Sequence, residues 1–162
     1  MKKSRVAFLG LFTAFAMILS FVESQIPTFV AIPGIKLGLP NIAIIIILYR
    51  FGWKEATIIS LLRVLLTSLL FGTVLSMLYS IAGAVLSLIV MILLKKILST
   101  VTISVIGGVF HNVGQIAVAI LVTETQQLIY YLPVLIISGV IAGIVVGLVA
   151  ATAVSKIEKI EL

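Results

Sequence analysis

The stretch IPGIKLGLPN, residues 32–41, separates a long apolar run from a shorter apolar run at residues 42–49. It contains two glycines, two prolines and the lysine Lys36. Glycine and proline are the residues that most strongly interrupt regular secondary structure. We therefore predict that residues 25–39 form a loop between two helices, and that this loop covers a ligand site at the outer mouth of a membrane protein.

The composition of the chain indicates an integral membrane protein. Of the 162 residues, 62% are hydrophobic and 10% are charged, and the mean hydropathy is +1.40. Soluble domains have about a quarter of their residues charged, so a chain this apolar could not cover a soluble surface. The chain has no cysteine, which excludes disulfides and thiolate metal sites. It also has no aspartate. We predict a protein of the lipid bilayer without catalytic residues, metal or cofactor.

The apolar runs predict one domain over residues 1–162, an all-α bundle of six transmembrane helices. The predicted spans are residues 5–24, 40–53, 54–72, 74–95, 103–123 and 128–154. Six spans place both termini on one side of the membrane. The basic residues at that side are Lys2, Lys3, Arg5, Arg50, Lys54, Lys95, Lys96, Lys156 and Lys159.

The other side of the membrane would have Lys36 as its single basic residue. Cytoplasmic loops carry an excess of lysine and arginine, so we predict cytoplasmic termini in a multi-pass protein of the cell (plasma) membrane. The net charge of +6 is scattered over segment ends. It therefore indicates topology and not nucleic-acid binding.

Arg63 is the most informative single residue, because it lies about 14 Å of helix beyond Lys54, near the bilayer midplane. A charged side chain there is costly and normally faces the bundle interior or a watery cavity. Ser60 and Thr67 share its helical face. We predict that Arg63 binds a carboxylate or phosphate of a small-molecule ligand. The alternative is a structural arginine paired with Glu23 or with backbone carbonyls.

A polar stripe lies on the fifth predicted helix. His111, Asn112 and Gln115 recur at helical spacing, and three polar side chains on one face need partners inside the bundle. We predict that they orient the ligand by hydrogen bonds, with Tyr79 of the fourth helix extending the pocket. The alternative for the histidine is a structural hydrogen bond between helices.

Glu23 approaches the outer end of the first helix. Its carboxylate could pair with Arg63 or Lys36, or meet water. Two cations and at most one acid near the predicted cavity favour an anionic ligand, or one with an anionic head.

Two helices carry small residues four positions apart, a pattern that lets another helix approach closely. The sixth helix has Gly139, Gly143 and Gly147, and the first has Gly10 and Ala14. Internal packing of the six helices could account for either stripe. Contact with an external helical partner is the preferred interpretation because of the following resemblance.

Five ordered blocks of the chain resemble the Gx transporter family, whose members also carry the name heptaprenyl diphosphate synthase component I. The blocks are GIKLGLPNI (34–42), LLRVLLTSLLFG (61–72), LYSIAGAVLSL (78–88), FHNVGQ (110–115) and YYLPVLIISGVIAGIVVG (130–147). Such proteins resemble substrate-binding (S) components of bacterial energy-coupling-factor (ECF) transporters. The resemblance implies six helices, an outer loop closing over substrate, and a partner module of one transmembrane T component with two cytoplasmic ATPases.

The resemblance also implies that the first helix meets the T component through an Ala-x-x-x-Ala-type motif, which Gly10 and Ala14 match with glycine in place of the first alanine. An isoprenoid, a quinone precursor or a vitamin-like molecule would suit the apolar walls. Prenyl synthases hold magnesium with aspartates, which this chain lacks. The alternative function is a non-catalytic accessory or scaffold subunit of an isoprenoid or quinone pathway, and a small channel is a third.

Overall fold

The chain folds into a bundle of helices. A computed structural model describes residues 2–26 and 37–157, with side chains from residue 6 onward. Within these ranges the helices are α1 (Lys2–Gln25), α2 (Pro40–Arg50), α3 (Trp53–Phe71), α4 (Val74–Leu94), α5 (Thr100–Thr123) and α6 (Leu132–Ile157). A 3₁₀ helix, Gln126–Tyr131, leads into α6. The predicted all-α fold with six helices is confirmed.

Four helical stretches in the described ranges are long and apolar enough to cross a membrane. They are Val6–Gln25, Val74–Leu94, Thr100–Thr123 and Gln126–Ile157. The helix α3 carries Lys54, Glu55 and Arg63 within its 19 residues, and α2 has only 11 residues. The protein is therefore an all-α membrane protein with two helices that depend on the others for burial.

The bundle has two chemically different ends. At one end, which we call the loop end, α1 ends at Gln25 and α2 begins at Pro40. At the opposite end, which we call the basic end, the described basic side chains are Arg50, Lys54, Lys95, Lys96 and Lys156. The charge asymmetry predicted from the sequence thus maps onto two ends of one bundle.

The short helix α2 forms the centre of the bundle. All six residues from 43 to 48 are buried, and α2 packs against α1, α3 and α6. A helix that is apolar on every face is stable only when other helices surround it. The core that forms around α2 includes Ile59 of α3, Met91 of α4 and Val146 of α6.

The end of α2 differs from the prediction. The predicted span reached residue 53, whereas α2 ends at Arg50 and α3 begins at Trp53. Gly52 between them has φ of 107°, a left-handed conformation that residues with a Cβ rarely adopt.

Lys95 of α4 donates a hydrogen bond from Nζ to the carbonyl oxygen of Leu48 at 3.3 Å. A cation from another helix thus stabilises the negative end of the α2 dipole.

The other helix starts follow local capping. Thr73 and Ser76 form a capping box at the start of α4, where each side chain accepts a hydrogen bond from the other residue's backbone N–H. At the start of α5, Ser99 accepts a hydrogen bond from the N–H of Thr102 at 3.2 Å. This cap places the first residue of α5 at Thr100, three residues before the predicted start. Polar caps before an apolar run extend a helix beyond its hydrophobic part.

The helix α5 lies between α4 and α6 and contacts both closely. The glycines of the α6 stripe, Gly139, Gly143 and Gly147, are all buried. A Cβ atom at Gly143 would lie 2.5 Å from the Cα of Val105 in α5. The stripe therefore packs against α5 inside the bundle. This differs from the preferred interpretation, in which the stripe contacts an external partner. The three glycines allow α6 to approach α5 within the chain.

Candidate functional site

Arg63 lies in the interior of the bundle, with 8% of its surface exposed. It is about two turns, or about 12 Å of helix, from the end of α3 at the loop end. Its Nη1 donates a hydrogen bond to Ser20 Oγ of α1 at 3.1 Å. Its Nε is buried and has no hydrogen-bond partner among the described residues. A buried guanidinium with an unused donor is costly for the folded state, and this cost points to a role beyond packing.

Ser20 orients this guanidinium. Its hydroxyl donates to the carbonyl oxygen of Ala16 at 2.9 Å while its oxygen accepts from Arg63. Both functions of the hydroxyl are therefore in use, which fixes the oxygen toward α3. Ser20 is not among the site residues predicted from the sequence, because contact between residues so distant in the chain depends on how α1 and α3 pack.

Glu23 connects α1 to the start of α2. Its Oε1 accepts hydrogen bonds from the backbone N–H groups of Gly38 and of Leu39, the second at 3.4 Å. Since Leu39, at the N-cap position, provides no side-chain cap, Glu23 supplies a cap from another helix. A carboxylate at this position is also stabilised by the α2 dipole. Ser20, the hydrogen-bond partner of Arg63, is one helical turn before Glu23 on the same face of α1, so Arg63 approaches this part of α1.

Asn112 joins α5 to α6. Its Nδ2 donates to the carbonyl oxygen of Leu135 at 2.7 Å and to Ser138 Oγ at 3.4 Å. Ser138 itself donates to the same carbonyl of Leu135 at 2.9 Å. The amide donors of Asn112 are therefore used for helix packing, which makes this residue a weaker candidate for ligand binding than the sequence suggested.

His111 and Gln115 face α4 at Gly83. A Cβ atom at Gly83 would lie 2.7 Å from the carbonyl oxygen of His111 and 2.9 Å from Cγ of Gln115. Gln115 is buried, with 9% of its surface exposed. Tyr79 is one helical turn before Gly83 on α4, so it shares the face that looks toward α5. His111 and Gln115 therefore lie where α5 meets α4, one helical turn from Tyr79 along α4.

The predicted site residues thus form two groups. Among the described residues, Arg63 makes no hydrogen bond to Asn112 or Gln115. Gln115 is about two turns, or about 12 Å of helix, from the loop end of α5, and Arg63 is about as far from the end of α3. Lys36 lies outside the described residues. In the described ranges, no three His, Cys, Asp or Glu side chains gather in a way that could hold a metal ion.

Gly10 and Ala14 lie on the open side of α1. Both residues are exposed, and a Cβ atom at Gly10 would meet no atom within 4 Å among the described residues. Neighbouring apolar side chains on this helix, such as Leu11 and Ile18, are exposed to 65% and 59%. This face of α1 is consequently open to lipid or to another helix.

The fold and these two groups define an all-α membrane protein with a buried cation and polar side chains in the half of the bundle near the loop end. The chain belongs to the heptaprenyl diphosphate synthase component I family, whose sequence model matches residues 12–153. No curated protein and no solved structure matches the chain. The predicted membership of the heptaprenyl diphosphate synthase component I family is thereby confirmed.

Proposed function

We propose that the protein is the substrate-binding (S) component of an ECF-type importer. It takes a small ligand with an anionic group and an isoprenoid or vitamin-like body from outside the cell. The termini lie in the cytoplasm of a bacterium, and the loop end faces outward. Transport is powered by two ATPases that act through a T component.

The observation that carries this proposal is the burial of Arg63 with its Nε unpartnered. Arginine suits planar, bidentate recognition of carboxylate and phosphate groups. In a low-dielectric interior, a charge-assisted hydrogen bond to such a group contributes about 1.5–3 kcal/mol. Gln115 of α5, which is about as far from its helix end as Arg63 is from the end of α3, supplies an uncharged amide for the ligand body. Lys36 stays a predicted second cation.

The open face of α1 supports the partner part of the proposal. Gly10 and Ala14 are exposed, so a helix of the T component can approach the α1 backbone closely. The chain has no Gly-rich nucleotide-binding loop, and in this proposal the partner ATPases supply hydrolysis. The protein itself is not an enzyme in this proposal.

The test of the ligand site is mass spectrometry of small molecules that co-purify with the protein from its native membrane. Arg63→Ala is expected to fold and to bind the ligand about ten- to a hundredfold more weakly, so that less ligand co-purifies. Lys95→Ala is the matched control, because it removes a cation that bonds a helix backbone at the basic end. Unchanged occupancy in Arg63→Ala, together with poor recovery of folded protein, would indicate a structural arginine.

The family name supports a second candidate function. A chain of the heptaprenyl diphosphate synthase component I family could be a non-catalytic membrane subunit that assembles with a second synthase component. Affinity purification from native membranes distinguishes the two functions. Recovery of a T component with two ATPases supports import, whereas recovery of a prenyl synthase subunit without them supports the accessory function.

A further inference from the structure

The start of α2 offers an anion position that the chain itself fills. The N–H groups of Gly38 and Leu39 both point to the carboxylate of Glu23. Gly38 and Leu39 immediately precede Pro40, the first residue of α2, so the helix dipole adds to the attraction of their N–H groups for an anion. The helix α2 has 11 residues, which is long enough for this effect.

A second group points to the same position independently. Arg63 has 8% of its surface exposed and an unpartnered Nε, and it bonds to Ser20, which is one helical turn before Glu23 on the same face of α1. A guanidinium has five N–H donors, and Ser20 accepts one of them. Arg63 therefore keeps a donor, on Nε, that an anion beside Glu23 could use.

We propose that the N–H groups of Gly38 and Leu39, together with the guanidinium of Arg63, bind the anionic group of the ligand, and that Glu23 occupies this position until the ligand replaces it. The inference rests on the proposed anionic ligand and adds the backbone donors and the role of Glu23. The ligand chemistry is a carboxylate or a phosphate. Glu23 is then an internal competitor that keeps α2 capped in the absence of ligand.

This competition predicts the direction in which the affinity for an anion changes when Glu23 is replaced. Two anions in one position repel each other, so the ligand must displace the charge of Glu23 before it binds. A glutamine in place of Glu23 can still accept a hydrogen bond but has no charge. Glu23→Gln is therefore expected to bind an anion about tenfold more tightly than the unchanged protein. The same substitution lowers thermal stability, because α2 loses a charged cap.

The probe is inorganic pyrophosphate, titrated by calorimetry into the full-length protein in detergent. A parallel titration with succinate distinguishes phosphate from carboxylate recognition. Glu124→Gln is the matched control, since it removes one negative charge from the exposed C-cap of α5 at the same end of the bundle. The control is expected to bind pyrophosphate as the unchanged protein does.

A second variant tests the backbone donors. Leu39 has φ of −49°, which proline can adopt, and proline has no N–H group. Adding Leu39→Pro to Glu23→Gln is expected to remove the gain in pyrophosphate affinity. Infrared difference spectra supply a direct readout, because displacement of Glu23 shifts a carboxylate band that is missing from Glu23→Gln.

The outcomes separate the two proposals. If the unchanged protein binds pyrophosphate or succinate but Glu23→Gln binds it no more tightly, the role of Glu23 is refuted and the anionic ligand stands. If folded unchanged protein, Glu23→Gln and Glu124→Gln all fail to bind either probe, both the anionic ligand and the role of Glu23 are refuted. Tighter binding in Glu23→Gln alone, lost again with Leu39→Pro, supports the inference.

Discussion

The helices α1 and α6 carry the same sequence pattern, small residues four positions apart, but one stripe is exposed and the other is buried. In α6, Gly139, Gly143 and Gly147 are buried against α5. In α1, Gly10 and Ala14 are exposed. A small-residue stripe therefore shows that a helix can be approached closely, and the neighbouring helix decides whether that approach occurs inside the chain.

The difference arises from what lies opposite each stripe. Across from Gly139, α5 has its own glycine, Gly108, so the two backbones can meet. A short connection through the 3₁₀ helix also brings α6 back beside α5. The helix α1 packs against α2 and α3 with the face opposite to its stripe. The α6 stripe consequently contributes to stability, whereas the α1 stripe is available for a partner.

The largest expected effect comes from filling the α6 stripe. In Gly143→Leu, the new Cβ would meet the Cα of Val105 at 2.5 Å, and a backbone atom cannot move aside as a side chain can. We expect a loss of about 3 kcal/mol in stability, at the upper end of the usual cost of overpacking. Thermal unfolding in detergent, followed by size-exclusion chromatography, measures it. A loss no larger than that in Gly10→Leu would contradict the difference between the stripes.

A smaller effect is expected from the polar contact beside the α6 stripe. Asn112→Ala removes the hydrogen bond to the carbonyl oxygen of Leu135, and interhelical hydrogen bonds in membrane proteins contribute about 1–2 kcal/mol at most. Unfolding in detergent should show this loss. Ser138→Ala is the control, because its contact with Asn112 is long, at 3.4 Å, and its loss should cost less.

The same variant distinguishes two roles of Asn112. If Asn112→Ala keeps full stability but loses the co-purifying ligand, the residue belongs to the ligand site, as the sequence suggested. Lower stability with ligand retained shows that it belongs to the α5–α6 contact, as its hydrogen bonds indicate.

The sequence predicted those features that depend on one helix at a time. Six apolar helices, the shortness of α2 and the position of Arg63 in the middle of α3 follow from local composition and spacing. The partners of these features depend on packing between distant segments. The local sequence pattern does not indicate that Arg63 bonds to Ser20 or that the backbone N–H of Gly38 bonds to Glu23. The α6 stripe had the right period, but its period does not identify the neighbouring helix.

The smallest effect on stability, and the largest on assembly, is expected from filling the α1 stripe. Because no described atom lies within 4 Å of a Cβ at Gly10, Gly10→Leu should change stability by less than about 0.5 kcal/mol. Its side chain would hold a partner helix away from the α1 backbone, so co-purification of the proposed T component should fall sharply. Val85→Leu, at an exposed position of α4, is the control and should leave recovery unchanged. Full recovery of the partner with Gly10→Leu would mean that the open stripe faces lipid alone.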